Sequence, residues 1–187
     1  LYFFILYIIM DLIRAARNGD IQRVSELLDS GADPNIRDRN GYTALIFAAR
    51  GANIEIVKLL LNYGADPNIT ENYGDTAIMM ARRWPVYGHA GRRVHQSLAK
   101  SEEEAARHLV IIRLLLDRGA DPNIQNNFGH TALIKASTGG YNQKNIVELL
   151  LRRGADPNII NHDGYTALMI AERHGRDDIA RLIRDHI

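Results

Sequence analysis

Four aspartates recur in identical sequence surroundings and are the first residues whose type and spacing could do chemistry. Each lies in the pentapeptide Gly-Ala-Asp-Pro-Asn, at Asp33, Asp66, Asp121 and Asp156. Neighbouring carboxylates can divide the roles of general acid and general base in hydrolysis. A repeated turn explains all four copies by one structural role, so the sequence predicts no catalytic role for them and no enzyme.

The seven histidines suggest metal binding, because the chain has no cysteine to serve as a ligand. His89 and His95 are separated by six positions, and His108 follows in a helical segment. This spacing differs from the His-Glu-x-x-His arrangement of zinc enzymes, and no carboxylate cluster lies beside the pair. Phosphate-binding glycine loops and nucleophile elbows are also missing from the sequence. We therefore predict no metal site and no cofactor.

The charge balance argues against one class of partner. Lysine and arginine number 23, and aspartate and glutamate number 22, which leaves a net charge of +1. Nucleic-acid binding relies on a surplus of cations, so no nucleic-acid partner is expected. The lack of cysteine fits a reducing compartment, and the predicted location is cytoplasmic, or the host cytoplasm if the source is viral or bacterial.

The pentapeptides share their rhythm with a second motif, Thr-Ala-Leu or Thr-Ala-Ile, which begins at Thr43, Thr76, Thr131 and Thr166. Successive pentapeptides are 33, 55 and 35 residues apart (64−31, 119−64 and 154−119), and successive threonines follow the same intervals. A period near 33 residues is typical of structural units stacked on one another. Such an array offers a surface rather than a pocket, so binding another macromolecule is its expected function.

Each unit is predicted to contain two helices. Thr43 and its equivalents can cap a first helix of about two turns. The second helix, as in segment 56–61, is apolar on two sides, which suits packing between neighbours. Gly64 can end this helix in the left-handed conformation, Pro67 bars its return, and the final asparagine can close the turn through its amide. The segment 69–75 suits a hairpin-like finger.

Segment 38–68 closely matches the ankyrin-repeat pattern Asp-x-x-Gly-x-Thr-Pro-Leu-His-x-Ala-Ala followed by Ile-Val-x-Leu-Leu-Leu-x-x-Gly-Ala-Asp-x-Asn. The chain resembles ankyrin-repeat proteins from about residue 11 to its end. The resemblance implies an all-α solenoid of stacked helix-turn-helix units with β-hairpin-like fingers, and a monomer is expected. The predicted repeat domain is 11–187, with units at 11–35, 36–68, 69–123, 124–158 and 159–187.

Two departures from the family pattern are systematic, and the first is an alanine after each threonine where the family has proline. The family's histidine, which normally ties neighbouring loops together, is replaced by an apolar residue in every unit, at Ile46, Met79, Ile134 and Met169. Apolar packing is therefore expected to stand in for a hydrogen bond worth about 1 kcal/mol at each position.

The third unit carries an insertion. The Thr-to-Gly interval is 21 residues in the second unit, 43 in the third and 23 in the fourth, so the insertion has 22 residues (43−21). It falls at about 84–105, between the two helices. A loop at 84–100 is predicted, followed by a helix at 102–118 that begins with a capping box of Ser101 and Glu104.

Side chains of this loop are predicted to contact the partner: Trp84, Tyr87, Arg92 and Arg93. Trp, Tyr and Arg dominate the energetics of protein interfaces, and insertions in repeat arrays often lie on the binding side. In the alternative interpretation, Trp84 covers exposed helix ends and the arginines are only solvated.

In ankyrin-repeat proteins, partners usually rest on a concave face made by the finger tips and the exposed side of the first helices. We call the corresponding surface of this chain the finger face. The resemblance assigns to it the finger residues Arg39, Asn40, Tyr42, Asn72, Tyr73, Asp75, Asn127, Phe128, His130, His162, Asp163 and Tyr165. It adds Arg50, Arg83, Thr138 and Arg173 from the first helices. The four rings in this set have no evident core role, although they could instead pack along neighbouring fingers.

Residues 1–10 form an apolar N-terminal segment. Ten residues span roughly 15 Å as a helix, about half of a bilayer core. Either translation begins at Met10 and residues 1–9 are upstream residues, or the segment is the remnant of a longer anchor. Both terminal units carry arginines on an outer side, as the ends of a complete array require.

The predicted function is a non-enzymatic protein–protein interaction module that binds a partner protein on the finger face, with the 84–100 loop as a specificity element. The alternative is a membrane-tethered ankyrin scaffold anchored by residues 1–10, and a membrane is involved only in that case. A third interpretation is a regulatory fragment of a larger enzyme whose catalytic domain would precede Leu1.

Overall fold

The protein is α-helical in the parts of the chain that the structure describes. The structure, a computed structural model, describes residues 11–81, 98–139 and 143–187. Its helices are α1 (11–18), α2 (Ile21–Asp29), α3 (Ala44–Arg50), α4 (Ile54–Asn62), α5 (Ala77–Met80), α6 (Leu98–Asp117), α7 (Ala132–Ala136), α8 (Gln143–Arg152), α9 (Ala167–Arg173) and α10 (Asp177–Arg184). Within these ranges no strand occurs, and one isolated β-bridge joins Thr70 and Thr76. The predicted all-α solenoid is confirmed.

The helices form two layers. The first helices α3, α5, α7 and α9 contact one another in order, and so do the second helices α2, α4, α6, α8 and α10. Side chains of both layers meet in one continuous core that includes Leu45, Leu60 and Leu133, each at most 1% exposed. Stacking therefore buries the helices that are apolar on two sides.

Three of the four repeated threonines cap a helix as predicted. The hydroxyls of Thr43, Thr131 and Thr166 accept from the backbone N–H three residues later, at 3.2–3.3 Å. Thr76 makes no such bond, and its buried hydroxyl has no hydrogen-bond partner among the described residues. Its helix α5 has four residues and α7 has five, so both are shorter than the two turns predicted.

The second helix of the third unit begins earlier than predicted. The sequence suggests a helix at 102–118, whereas α6 covers Leu98–Asp117. Ser101 therefore lies inside the helix, and an N-cap residue must precede the first helical residue. The predicted capping box of Ser101 and Glu104 is wrong. Residues 84–97 of the predicted 84–100 loop lie outside the described residues, and the prediction is wrong for 98–100, which belong to α6.

The pentapeptide ends a helix as predicted. Gly64 has φ +81°, and the N–H of Ala65 donates to the carbonyl of Leu60 at 3.0 Å. Asp66 then accepts from the N–H of Asn68 at 2.9 Å. The equivalent bond occurs in all four copies at 2.8–2.9 Å, which gives the repeated aspartates their structural role.

The asparagine of the pentapeptide joins one unit to the next. Asn68 Nδ2 donates to the Gly119 carbonyl at 3.0 Å, and its Oδ1 accepts from the Asp121 N–H at 2.7 Å. Asn35 and Asn123 make the same two bonds to the pentapeptides that follow them. We call this row the asparagine ladder. The prediction that the amide closes its own turn is wrong, because the aspartate closes the turn and the amide bridges units.

Replacing Asn68 by alanine is expected to lower the free energy of unfolding by about 1–3 kcal/mol, since two hydrogen bonds between units are lost. Asn158 is the matched control, because it ends the fourth pentapeptide and makes no such bridge within the described chain. Urea denaturation followed by circular dichroism measures both variants. Equal losses for Asn68→Ala and Asn158→Ala would contradict a bridging role.

The two end units place arginines on the surface. In the first unit, Arg14 and Arg23 are partly exposed and both donate to the buried carboxylate of Asp11. The hydrogen bond from Arg23 is the main cause that lowers the pKa of Asp11. In the last unit, Arg181 and Arg184 are exposed. These positions agree with the polar outer sides that the sequence predicts.

Candidate partner-binding face

Each finger is closed by one polar side chain at its base. The four fingers are 36–42, 69–75, 124–130 and 159–165. In each, the side-chain oxygen accepts from the backbone N–H groups two and four residues later, at 2.8–3.1 Å. The residues in this position are Asp38, Glu71, Asn126 and Asn161. A carboxylate and an amide therefore close the same turn equally well.

Neighbouring fingers are joined through their backbones. Asn72 N–H donates to the Asn40 carbonyl at 3.0 Å, Asn127 N–H to the Tyr73 carbonyl at 2.9 Å, and His162 N–H to the Phe128 carbonyl at 3.1 Å. The side chain of Asn127 adds a bond to the Asn72 carbonyl at 2.9 Å. These bonds need no histidine, so directional hydrogen bonds join the fingers where the sequence predicts apolar packing instead.

The row of four aromatic rings divides into two pairs. Tyr42 stacks on Phe47 with 4.9 Å between ring centroids, and Tyr165 packs against the core beneath the guanidinium of Arg173. Burial is the main cause that raises the pKa of Tyr42, and the negative charge of Glu71 adds to it. The expectation that these two rings lack a core role is therefore wrong.

The other two rings are open to solvent. Tyr73 is 64% exposed and Phe128 is 55% exposed, and each lies within the turn of its finger. They are carried by adjacent fingers whose backbones are bonded to each other. Large exposed apolar side chains that occur together mark a surface suited to binding.

Tyr73 and Phe128 border a pocket of about 430 Å³ on the finger face. Its apolar wall consists of Tyr73, Met80, Phe128, Ile134 and Ile170. Its polar groups are Glu71, Asp75, Asn126, His130, Lys135 and Thr138. Met80 is the last residue of α5, so one part of the pocket wall lies at the end of this short helix.

Charged groups lie at the base of this pocket. Asp75 is 8% exposed and accepts from Asn126 Nδ2 at 2.7 Å and from the Lys135 ammonium. Glu71 is 2% exposed, and its Oε1 accepts from the N–H groups of Tyr73 and Asp75 at 3.0 Å. Its second oxygen, Oε2, is buried without a hydrogen-bond partner among the described residues.

A family model described as ankyrin repeats in three copies matches residues 12–91 and 102–187, and a single-repeat model matches 73–127. The chain belongs to the ankyrin-repeat family. No curated protein matches it significantly. Ankyrin repeats are generally protein–protein interaction modules and are typically non-enzymatic, so a protein partner is indicated.

Most of the described residues that the resemblance assigns to the finger face are exposed to solvent or line the pocket. Arg39, Asn40, Asn72, Asn127, His162, Asp163, Arg50 and Arg173 are exposed, and His130 and Thr138 line the pocket. Asp75 is buried in its ion pair and does not offer an open carboxylate. The carbonyl of Arg50 lies 3.3 Å from Nε2 of the buried His108.

The remaining assignments fall outside the described residues. These are Arg83, which the resemblance assigns to a first helix, then Trp84, Tyr87, Arg92 and Arg93 of the insertion, His89 and His95, and the N-terminal segment 1–10. In the ranges that are described, no helix is both long and apolar enough to cross a membrane. The same ranges contain no group of His, Asp and Glu that could hold a metal ion.

Sequence reasoning missed the ion pair at the base of the pocket. Asp75 stands where the other units have Tyr42, His130 and Tyr165 before the threonine. Lys135 stands where they have Phe47, Met80 and Ile170. Both departures fall in consecutive units of a stacked array, and their opposite charges are a signal from which the pairing could have been predicted.

Proposed function

We propose that this ankyrin-repeat protein binds a partner protein on its finger face, with the pocket bordered by Tyr73 and Phe128 as the centre of the interface. The observation that carries the proposal is the exposure of these two rings beside a pocket with apolar walls. Asn40 and Asp163 occupy the equivalent position in the other two fingers. Tyr42 and Tyr165 stand two positions further along and are packed on the core, so the exposed pair is a local property of the third and fourth units.

The bonds between the elements that carry the two rings also support the proposed interface. The backbones of the second and third fingers are hydrogen-bonded, and the Asp75–Lys135 pair joins the finger of the third unit to the first helix of the fourth. Anchoring aromatic side chains on fixed elements lowers the entropy lost when a partner binds. We propose that residues 84–97, which lie between α5 and α6 in the sequence, add specificity to the interface.

Replacing Tyr73 and Phe128 together by alanine is expected to weaken partner capture from a cell lysate by about tenfold or more, since buried aromatic anchors each contribute 1 kcal/mol or more to binding. The melting temperature should stay close to that of the wild-type protein, because both rings are largely exposed. Quantitative pull-down and thermal melting test this.

The matched control is Val110→Ala, which removes a 41% exposed apolar side chain from α6 in the layer of second helices. It should leave capture unchanged. Capture that survives the double substitution, or is lost equally in the control, would refute the proposed interface. A collapse of the melting temperature would show that the rings are structural.

A further inference from the structure

We infer that the pocket between the second and third fingers accepts a cationic side chain of the partner, an arginine, which stacks between Tyr73 and Phe128 above a buried carboxylate. This inference rests on the proposed function, since it names the chemistry that the finger face would recognise.

The charges of the pocket favour a cation. The described residues that line it include two carboxylates, Glu71 and Asp75, and one ammonium group, that of Lys135. Lys135 is paired with Asp75, and their side chains are each 11% exposed. Glu71 is more deeply buried, and its Oε2 makes no hydrogen bond within the described chain. Charges act over a longer range in such a desolvated site than they do in water.

The carboxylate of Glu71 is not required to form the finger. Asn126 and Asn161 close the third and fourth fingers from the same position with neutral amides. Asp38 closes the first finger with a shorter side chain. The charge and the extra length of Glu71 therefore exceed what the turn needs. Burying a carboxylate oxygen without a partner is costly, which points to a ligand that offsets its charge.

The walls suit the rest of an arginine side chain. Guanidinium groups stack favourably on aromatic faces, and Tyr73 and Phe128 both present exposed rings. Met80, Ile134 and Ile170 supply an apolar wall against which the methylene stem of arginine can pack. The aromatic rings, the apolar wall and the charge thus agree on one class of side chain.

The test titrates the wild-type protein with N-acetyl-arginine amide and with N-acetyl-citrulline amide, its neutral analogue of equal length. Binding is followed by NMR chemical shifts at pH 8. Arginine amide should give saturable shifts at the finger residues around Tyr73 and Phe128. Citrulline amide should bind about tenfold more weakly.

Glu71→Gln supplies the second arm, because glutamine keeps an oxygen that can accept both finger N–H bonds, while a neutral NH2 group replaces the charged Oε2. It should weaken arginine binding by about five- to tenfold. Glu55→Gln makes the same change at an exposed position on α4 and should alter it less than twofold. If Glu71→Gln fails to fold, the comparison of arginine amide with citrulline amide on the wild-type protein still tests whether the pocket prefers a cation.

Equal binding of the two amides, no saturable shift, or a folded Glu71→Gln variant that binds arginine normally would overturn the inference. These outcomes differ from failure of the proposed function. Loss of capture in the Tyr73→Ala/Phe128→Ala variant, together with no preference for arginine, would retain the finger face as the interface and reject only its cation specificity.

Discussion

Replacing Leu115 by alanine is expected to lower the free energy of unfolding by about 2–5 kcal/mol, the usual cost of truncating a fully buried leucine. Leu115 is 0% exposed and lies in α6, which contacts α4 on one side and α8 on the other. The truncation leaves a cavity at the middle of the array, where both neighbouring units lose packing. Urea denaturation monitored by circular dichroism measures the loss.

Val110→Ala on the same helix is the control, since that side chain is 41% exposed and its truncation should cost much less. Similar costs at the two positions would show that α6 does not bury the face that carries Leu115. Because each unit contacts mainly its neighbours, the damaged unit is also expected to broaden the transition, since cooperativity between the two halves of the array weakens.

Replacing Gly74 by alanine is expected to cost about 3–4 kcal/mol, for two separate reasons. Gly74 has φ +84°, a conformation that costs an L-residue about 1–2 kcal/mol. A Cβ atom there would lie 2.8 Å from Asn126 Cα and from Asn127 N, so the third finger must move away. The bonds of Asn127 to the second finger are then lost, at about 1 kcal/mol each.

Gly164→Ala separates the two causes. Gly164 holds the same position in the fourth finger with φ +81°, and a Cβ atom there would have nothing within 4 Å. This variant should show only the conformational cost of about 1–2 kcal/mol. Thermal melting of the two variants side by side gives the difference. If they lose stability equally, contact between adjacent fingers contributes nothing measurable.

The sequence predicts the fold well because its main signals are local. A helix end at Gly64 requires only a glycine followed by Asp-Pro, and a helix start at Thr43 requires only a hydroxyl before an apolar run. Both occur as predicted. The role of Asn68 is not local, since its partner Gly119 is 51 residues away, and the turn alone suggested the wrong bond.

The errors also have physical causes. Ser101 and Glu104 have the spacing of a capping box. Because α6 already includes Leu98, Ser101 is an interior residue of the helix and not its N-cap. Tyr42 looks like a surface residue in the sequence, yet Phe47 four positions after Thr43 offers a ring for it to stack on. The pocket includes Met80, the last residue of α5, and no residue pattern before Ala81 predicts that this helix ends so early.

Two rows of hydrogen bonds, the asparagine ladder and the bonds between fingers, fix how units lie on each other, and neither row uses residues of the insertion. The junction that spans the insertion has bonds of 2.7 and 3.0 Å, which lie within the 2.7–3.2 Å range of the other two junctions. The number of residues between α5 and α6 can therefore change without altering the hydrogen bonds that join the units on either side. A longer or shorter segment at this position is expected to leave the stacking of the repeats unchanged.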